Sequence, residues 1–185
     1  MRRLDPRECA VVVVDAQEKL AAAMPEPRIA ELTRAATVLL EAARLLGAGA
    51  LATEQYPAGL GRTLPAIAEA LQQAGAVTVE KLDFSACDEP AFARALASMA
   101  PRAIVVVGME AHVCVYQTVR ELCARGLDVH VPIDGVVSRR DDHRAVGIDL
   151  CRSAGATITT METLVFDWLR RAGSAEFKAL SMRIR

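Results

Sequence analysis

Short β-branched runs recur along the chain, each followed by a segment of helical spacing, and this alternation constrains the fold more than any other feature. The runs are "AVVVV" (Ala10 to Val14), "ALATE" (Ala50 to Glu54), "VTVE" (Val77 to Glu80), "AIVVVG" (Ala103 to Gly108), "DVHVP" (Asp128 to Pro132) and "ATITT" (Ala156 to Thr160). Between them, segments such as "RIAELTRAATVLLEAARLLG" place apolar residues at i, i+3, i+4 and i+7. The joints "LLGAGA", "LQQAGA", "LCARGLD" and "CRSAGATI" each carry the glycine that closes a helix before the next run. Strand and helix alternating through short joints predict a parallel sheet with helices on both faces. The Val and Ile runs are continuous rather than alternating, which fits strands buried on both sides.

The expected fold is therefore α/β, a three-layer α/β/α sandwich with a Rossmann-like parallel sheet of about six strands. At 185 residues and 52% hydrophobic content, one sizeable core is expected, and the reading is a single domain over 1–185. With 22 basic and 23 acidic residues the net charge is -1, so no global field draws in nucleic acid or an anionic membrane. Small-molecule partners fit better. "MRRLDPRE" is charged and the following "CAVVVVDA" meets an acid at once, so neither a signal peptide nor a spanning helix is expected, and the location read is cytoplasmic. The five cysteines fall at irregular spacing without a C-x-x-C pair, which argues against a disulfide framework or structural zinc. The tail "SAEFKALSMRIR" could cover an edge or meet a second subunit.

In open α/β sheets ligands bind beyond the carboxyl ends of the strands. The first strand ends at Asp15, the third at Lys81 and the fourth at Gly108, with Cys114 just beyond, at the expected first turn of a helix. Taken singly these are a turn former, a solvated lysine and a small buried hydrophobe. Together their chemistries complement one another. A helix N-terminus and a nearby lysine favour the thiolate, and a carboxylate can take a thiol proton and return it to a leaving group. His112, two residues from Cys114, is a second candidate base, whereas His130 lies in a strand and His143 at a helix start. A cysteine-nucleophile enzyme and a plain binding domain of the same architecture both remain open on these residues alone.

At the same residues the chain resembles the isochorismatase-like cysteine hydrolases. The resemblance runs through "VVVVDAQEKL", "TEQYPAGLG", "EKLDFSAC", "VVVGMEAHVCVYQTVREL", "SRRDDH" and "GATITTMETLVFDWL". It implies Cys114 as nucleophile, Asp15 as general base and acid, and Lys81 as the cation that orients both. It also implies a cis peptide between Met109 and Glu110, which would aim the backbone N–H of Glu110, with that of Cys114, at a developing oxyanion. The implied reaction is hydrolysis of a small amide or related C–N substrate through a thioester, without a cofactor. Relatives of this kind form dimers or larger rings, so a homo-oligomer is implied.

The sequence also departs from named members. Nicotinamidases hold a metal through histidines after the second strand, but "TEQYPAGLGRTLP" has none, and Glu54 alone makes no transition-metal site. No metal is expected. True isochorismatases cleave a vinyl ether without a cysteine nucleophile, so Cys114 counts against that alternative; the local words look closest to isochorismatase-domain proteins of unassigned substrate. A non-catalytic assembly or ligand-binding member is opposed by the intact Asp15, Lys81 and Cys114. A nucleotide-binding domain is opposed by "DAQEKL" where G-x-G-x-x-G would stand. By position, Gln17, Leu20, Tyr56, Phe84 and Glu110 are the expected substrate-binding residues. Glu110 either enters the pocket or pairs with Arg139 or Lys81; Asp134, Ser138 and Arg139 read as structural or interface groups, and Trp168 as core or interface.

Overall fold

The computed structural model describes residues 3–184; Met1, Arg2 and Arg185, which the 1–185 domain, "MRRLDPRE" and the tail include, lie outside the described residues. The strands are β1 Cys9–Val14, β2 Gly49–Gln55, β3 Val77–Lys81, β4 Ala103–Met109, β5 Asp128–Pro132, β6 Val136–Val137 and β7 Thr157–Thr159. The helices are α1 Glu18–Ala21, α2 Glu26–Leu46, α3 Pro57–Leu60, α4 Pro65–Gln73, α5 Pro90–Met99, α6 Tyr116–Ala124, α7 Asp141–Ser153, α8 Met161–Leu169 and α9 Ala175–Ile184. All strand pairs are parallel, in the order β3-β2-β1-β4-β5-β7, and β6 pairs with β4 beyond the end of β5. The six expected runs are all strands. The seventh, β6, is two residues long, too short to carry a periodicity.

Alternation along β1 divides the core into two layers. Val11 and Val13 face a cluster holding Leu39, Leu164 and Trp168. Val12 and Val14 face one holding Phe92, Val119 and Leu122. All four valines have no exposed surface, and each contributes about 1.5–3 kcal/mol of apolar burial before the entropy of ordering the chain. Trp168 is thus core. Leu180 of α9 is fully buried and α9 packs on α2 and α8, so the tail covers helices of its own chain rather than a sheet edge. The four glycine joints, Gly47, Gly75, Gly126 and Gly155, all have left-handed φ of 66° to 105°, which is what lets each helix stop and turn into a strand.

The strand order places the reversal of winding between β1 and β4. From β1 the chain winds outwards through β2 to β3, and from β4 in the opposite direction through β5 to β7. Connections that diverge in this way leave a crevice beyond the carboxyl ends of the two central strands. Asp15 follows β1 and Cys114 follows β4, so two of the three singled-out groups flank that crevice.

Candidate active site

Asp15 is the first residue after β1, held at φ 50°, and its N–H donates to the Thr53 carbonyl at 3.1 Å. Lys81 is the last residue of β3, two strands away, and its side chain passes the end of β2 to reach the carboxylate. Lys81 Nζ donates to Asp15 Oδ2 at 2.7 Å and to Gln55 Oε1 at 2.6 Å, with the carbonyls of Asp83 at 3.1 Å and Phe84 at 3.2 Å completing its surroundings. Thr53 Oγ1 donates to Asp15 Oδ1 at 2.7 Å. Neither charged side chain has exposed surface. Two charges removed from water are tolerated only when such additional hydrogen bonds compensate their lost hydration.

The cysteine is positioned from the other side of the crevice. At the end of β4, Gly108 has φ 130°, and a Cβ there would lie 2.0 Å from the Val14 carbonyl oxygen, so only glycine lets β4 leave the sheet this close to β1. The Met109–Glu110 peptide bond is cis. Residues Ala111–Val115 then form a π-helical turn, with the Val115 N–H donating to the Glu110 carbonyl at 3.2 Å, and α6 begins only at Tyr116. Cys114 therefore sits in a widened turn ahead of the α-helix, where the sequence predicts the first turn of the helix itself.

The state of the thiol also differs from expectation. Cys114 is 6% exposed, and its pKa is pushed up to about 12, first by burial and then by the charge of Asp15; Lys81 pulls the other way. The sequence predicts a thiolate favoured by the lysine. In the structure Lys81 is paired with Asp15, and burial together with the Asp15 charge favours the neutral thiol at Cys114.

The remaining candidates separate into groups. Gln17 is fully buried: its Oε1 accepts the Gln55 N–H at 2.8 Å, and its Nε2 donates to the carbonyls of Gln55 at 3.0 Å and Gly61 at 2.7 Å. Expected to face substrate, it instead clamps the backbone after β2. Leu20 packs against the first core layer. Tyr56 and Phe84 are more than half exposed, and Tyr56 joins Pro57, Arg62, Lys81, Leu82 and Asp83 around a cleft of about 590 Å³. Glu110 pairs with Arg139, whose backbone N–H and Nε each donate to Glu110 Oε2 at 3.1 Å. His112 Nδ1 lies 3.0 Å from Ser138 Oγ and its ring packs at 4.9 Å, tilted by 53°, against that of His143, while burial holds its pKa below the ordinary value. His112 is engaged away from the thiol. Asp134 accepts the Met161 N–H at 2.9 Å and caps α8. Glu54 accepts from Thr63 and Arg62, and among the described residues no cluster of three or more His, Cys, Asp or Glu is arranged to hold a metal ion. Thr53 and Gln55 were not anticipated; their signal is "TEQ", polar residues in a strand otherwise buried on both faces.

A family model described as the isochorismatase domain matches residues 9–163, the stretch that carries Asp15, Lys81 and Cys114. The chain belongs to the isochorismatase domain family. Isochorismatase-family relatives include the secreted isochorismatase effector Isc1 of Phytophthora sojae, 33% identical over 99% of this chain and 87% of its own length. Among solved structures, the MAR1 ribonuclease from Caenorhabditis elegans superposes with a TM-score of 0.90 at 35% identity, covering 99% of this chain and 92% of that one. The Escherichia coli YcaC gene product, described as an octameric hydrolase of unknown specificity, superposes with a TM-score of 0.89 at 21% identity, over 98% of this chain and 90% of that one, and shows the shared fold. This isochorismatase-family chain has a hydrolase fold. Among the described residues no helix is long and apolar enough to cross a membrane.

Proposed function

We propose that the chain, read as one domain over 1–185, is a cysteine hydrolase of small amides or related C–N substrates, with Cys114 as nucleophile, Asp15 as proton carrier and Lys81 as the cation opposite it. The observation that carries the reading is the buried Asp15, held by Lys81 and Thr53 at the end of β1, with the buried Cys114 close enough for its charge to raise the thiol pKa. A preformed thiolate is not needed for this chemistry. As the sulfur attacks the carbonyl carbon, Asp15 takes the thiol proton, so the S–C bond forms while the charge passes to the carbonyl oxygen. The backbone N–H groups of Glu110 and Cys114 are the donors assigned to that oxyanion. Collapse breaks the C–N bond, and Asp15 gives its proton to the departing amine. Water then attacks the thioester, with Asp15 taking its proton and the sulfur regaining one as the acid leaves.

Substrate contacts are assigned to Tyr56 and Phe84, the exposed aromatics after β2 and β3, and to Leu20; Glu110, held by Arg139, contributes its backbone rather than its carboxylate. No step calls for a cofactor or metal. RNA is not the expected substrate despite the description of the nematode neighbour: the net charge is -1, and the lysine at the site is neutralised by Asp15. A homo-oligomer is part of the proposal, with the octameric description of the bacterial neighbour in its support.

The test is a panel of small primary amides scored for ammonia release, with an RNA substrate alongside. Release by the parent protein and its loss in both Cys114→Ala and Asp15→Asn is the expected result. Amide turnover surviving in Cys114→Ala, or RNA cleavage dependent on Cys114 with no amide turnover, would overturn the assignment.

A further inference from the structure

We infer that Gly147, in the middle of α7, is a positioning residue for the nucleophile: its missing side chain lets α7 seat directly on the backbone of the turn that carries Cys114. The inference rests on the cysteine-hydrolase reading. A Cβ at Gly147 would lie 2.5 Å from the Ala111 carbonyl carbon, 2.6 Å from the His112 nitrogen and 2.7 Å from the Ala111 oxygen. All three are backbone atoms, so no side-chain rotation relieves the overlap; the turn itself must move. Glycine inside a helix is destabilising relative to alanine, and Gly147 is not among the glycines with a left-handed φ. Its place in a 13-residue helix therefore calls for a packing reason, which the seat supplies.

Neighbouring contacts converge on the same turn. Arg139 holds Glu110, Ser138 lies 3.0 Å from His112, and His143, one helical turn before Gly147, packs its ring against that of His112 at 4.9 Å. Three consecutive residues, Glu110, Ala111 and His112, are thus fixed from the 138–147 segment. Cys114, on the same turn, lies close enough to Asp15 to feel its charge. Misplacing a reacting group by about 1 Å costs on the order of 10²-fold in rate, so a shift of the turn should register in the chemistry before it registers in binding.

The experiment compares Gly147→Ala with Ile148→Val, which trims a buried side chain of the second core layer on the same helix and lowers stability without adding an atom at the seat. Cys114 alkylation rate at one fixed alkaline pH, amide kcat and KM, and Tm are measured for each. In Gly147→Ala, kcat should fall at least about tenfold with KM within about twofold, and Cys114 alkylation should quicken as the thiol leaves the Asp15 charge that raises its pKa, whereas Ile148→Val should keep parental rates at a comparable loss of Tm. Parental rates in Gly147→Ala, or equal rate changes in both variants at equal Tm, overturn the inference. If Gly147→Ala does not fold, Ser138→Ala, which removes one contact to His112, should lower kcat and quicken alkylation; unchanged rates there overturn it equally. Alkylation needs no substrate, so absence of amide turnover in the parent counts against the hydrolase reading alone, and Gly147 is still judged by the thiol.

Discussion

Lys81 Nζ lies 2.7 Å from Asp15 Oδ2 with both side chains wholly buried, and the two charges answer each other across the end of β2. Lys81 still lowers the Cys114 pKa, but burial and the Asp15 charge outweigh it. Proton removal from the thiol then belongs to the attack itself, and the pair acts as one unit in both stability and chemistry.

Removing one partner of such a pair leaves an uncompensated buried charge. Lys81→Ala should lose about 3–5 kcal/mol in urea unfolding, far beyond the roughly 0–1 kcal/mol of a surface ion pair. The double variant Asp15→Asn with Lys81→Met should recover part of that loss. A single-variant loss in the surface range would mean that the two charges do not share a dry environment.

Asp15→Asn should separate thiol acidity from catalysis. The Asp15 charge is, after burial, the main cause holding the Cys114 pKa near 12. Without it, the pH profile of Cys114 alkylation should move to lower pH, while amide turnover falls by about 10²–10⁴-fold for want of the proton carrier. A profile that stays in place or moves upwards would contradict the electrostatic assignment.

Stability at high pH carries a further signature. Burial raises the thiol pKa from the ordinary 9.0 to about 12 at Cys9, Cys114 and Cys151, and to about 11 at Cys87. Between those values the unfolded chain has released protons that the folded chain keeps, so the unfolding free energy falls as pH rises. The stability should be fully present below pH 9 and drain away between pH 9 and about 12. Denaturant midpoints measured across that range should decline less steeply in Cys151→Ala once its own loss at neutral pH is subtracted; identical slopes would argue against the buried thiols as the cause.

Gln17 offers a contrast between clamp and contact. Gln17→Ala leaves the Gln55 N–H without its 2.8 Å acceptor, and the expected cost is about 1–3 kcal/mol with kcat retained. A large fall in kcat at unchanged stability would return Gln17 to the substrate.

The fold was legible because its signals are local. Four consecutive valines in β1 and a glycine at each helix exit declare buried strands and helix ends within a few residues. The positions of Asp15, Lys81 and Cys114 at strand ends followed from the same pattern. What could not be read depends on distances between segments far apart in the chain. That Lys81 pairs with Asp15 depends on the strand order, which sets β2 between their strands. Gln17 looked like a pocket residue because it follows Asp15, yet its partners, Gln55 and Gly61, are brought to it by the fold. The π-helical turn has no periodicity of its own: Ala111 to Val115 reads as helix, and nothing local in the sequence marks the widening. Ser138 and Arg139, read as structural groups, do hold structure, but it is the structure of the nucleophile turn.

The most direct measurement is intact-protein mass spectrometry of the enzyme quenched in acid while it turns over an amide. A transient mass increase equal to the acyl group, mapped to Cys114 and absent from Cys114→Ala, is the expected result. Turnover with no adduct in the parent and undiminished turnover in Cys114→Ala would contradict the covalent mechanism outright.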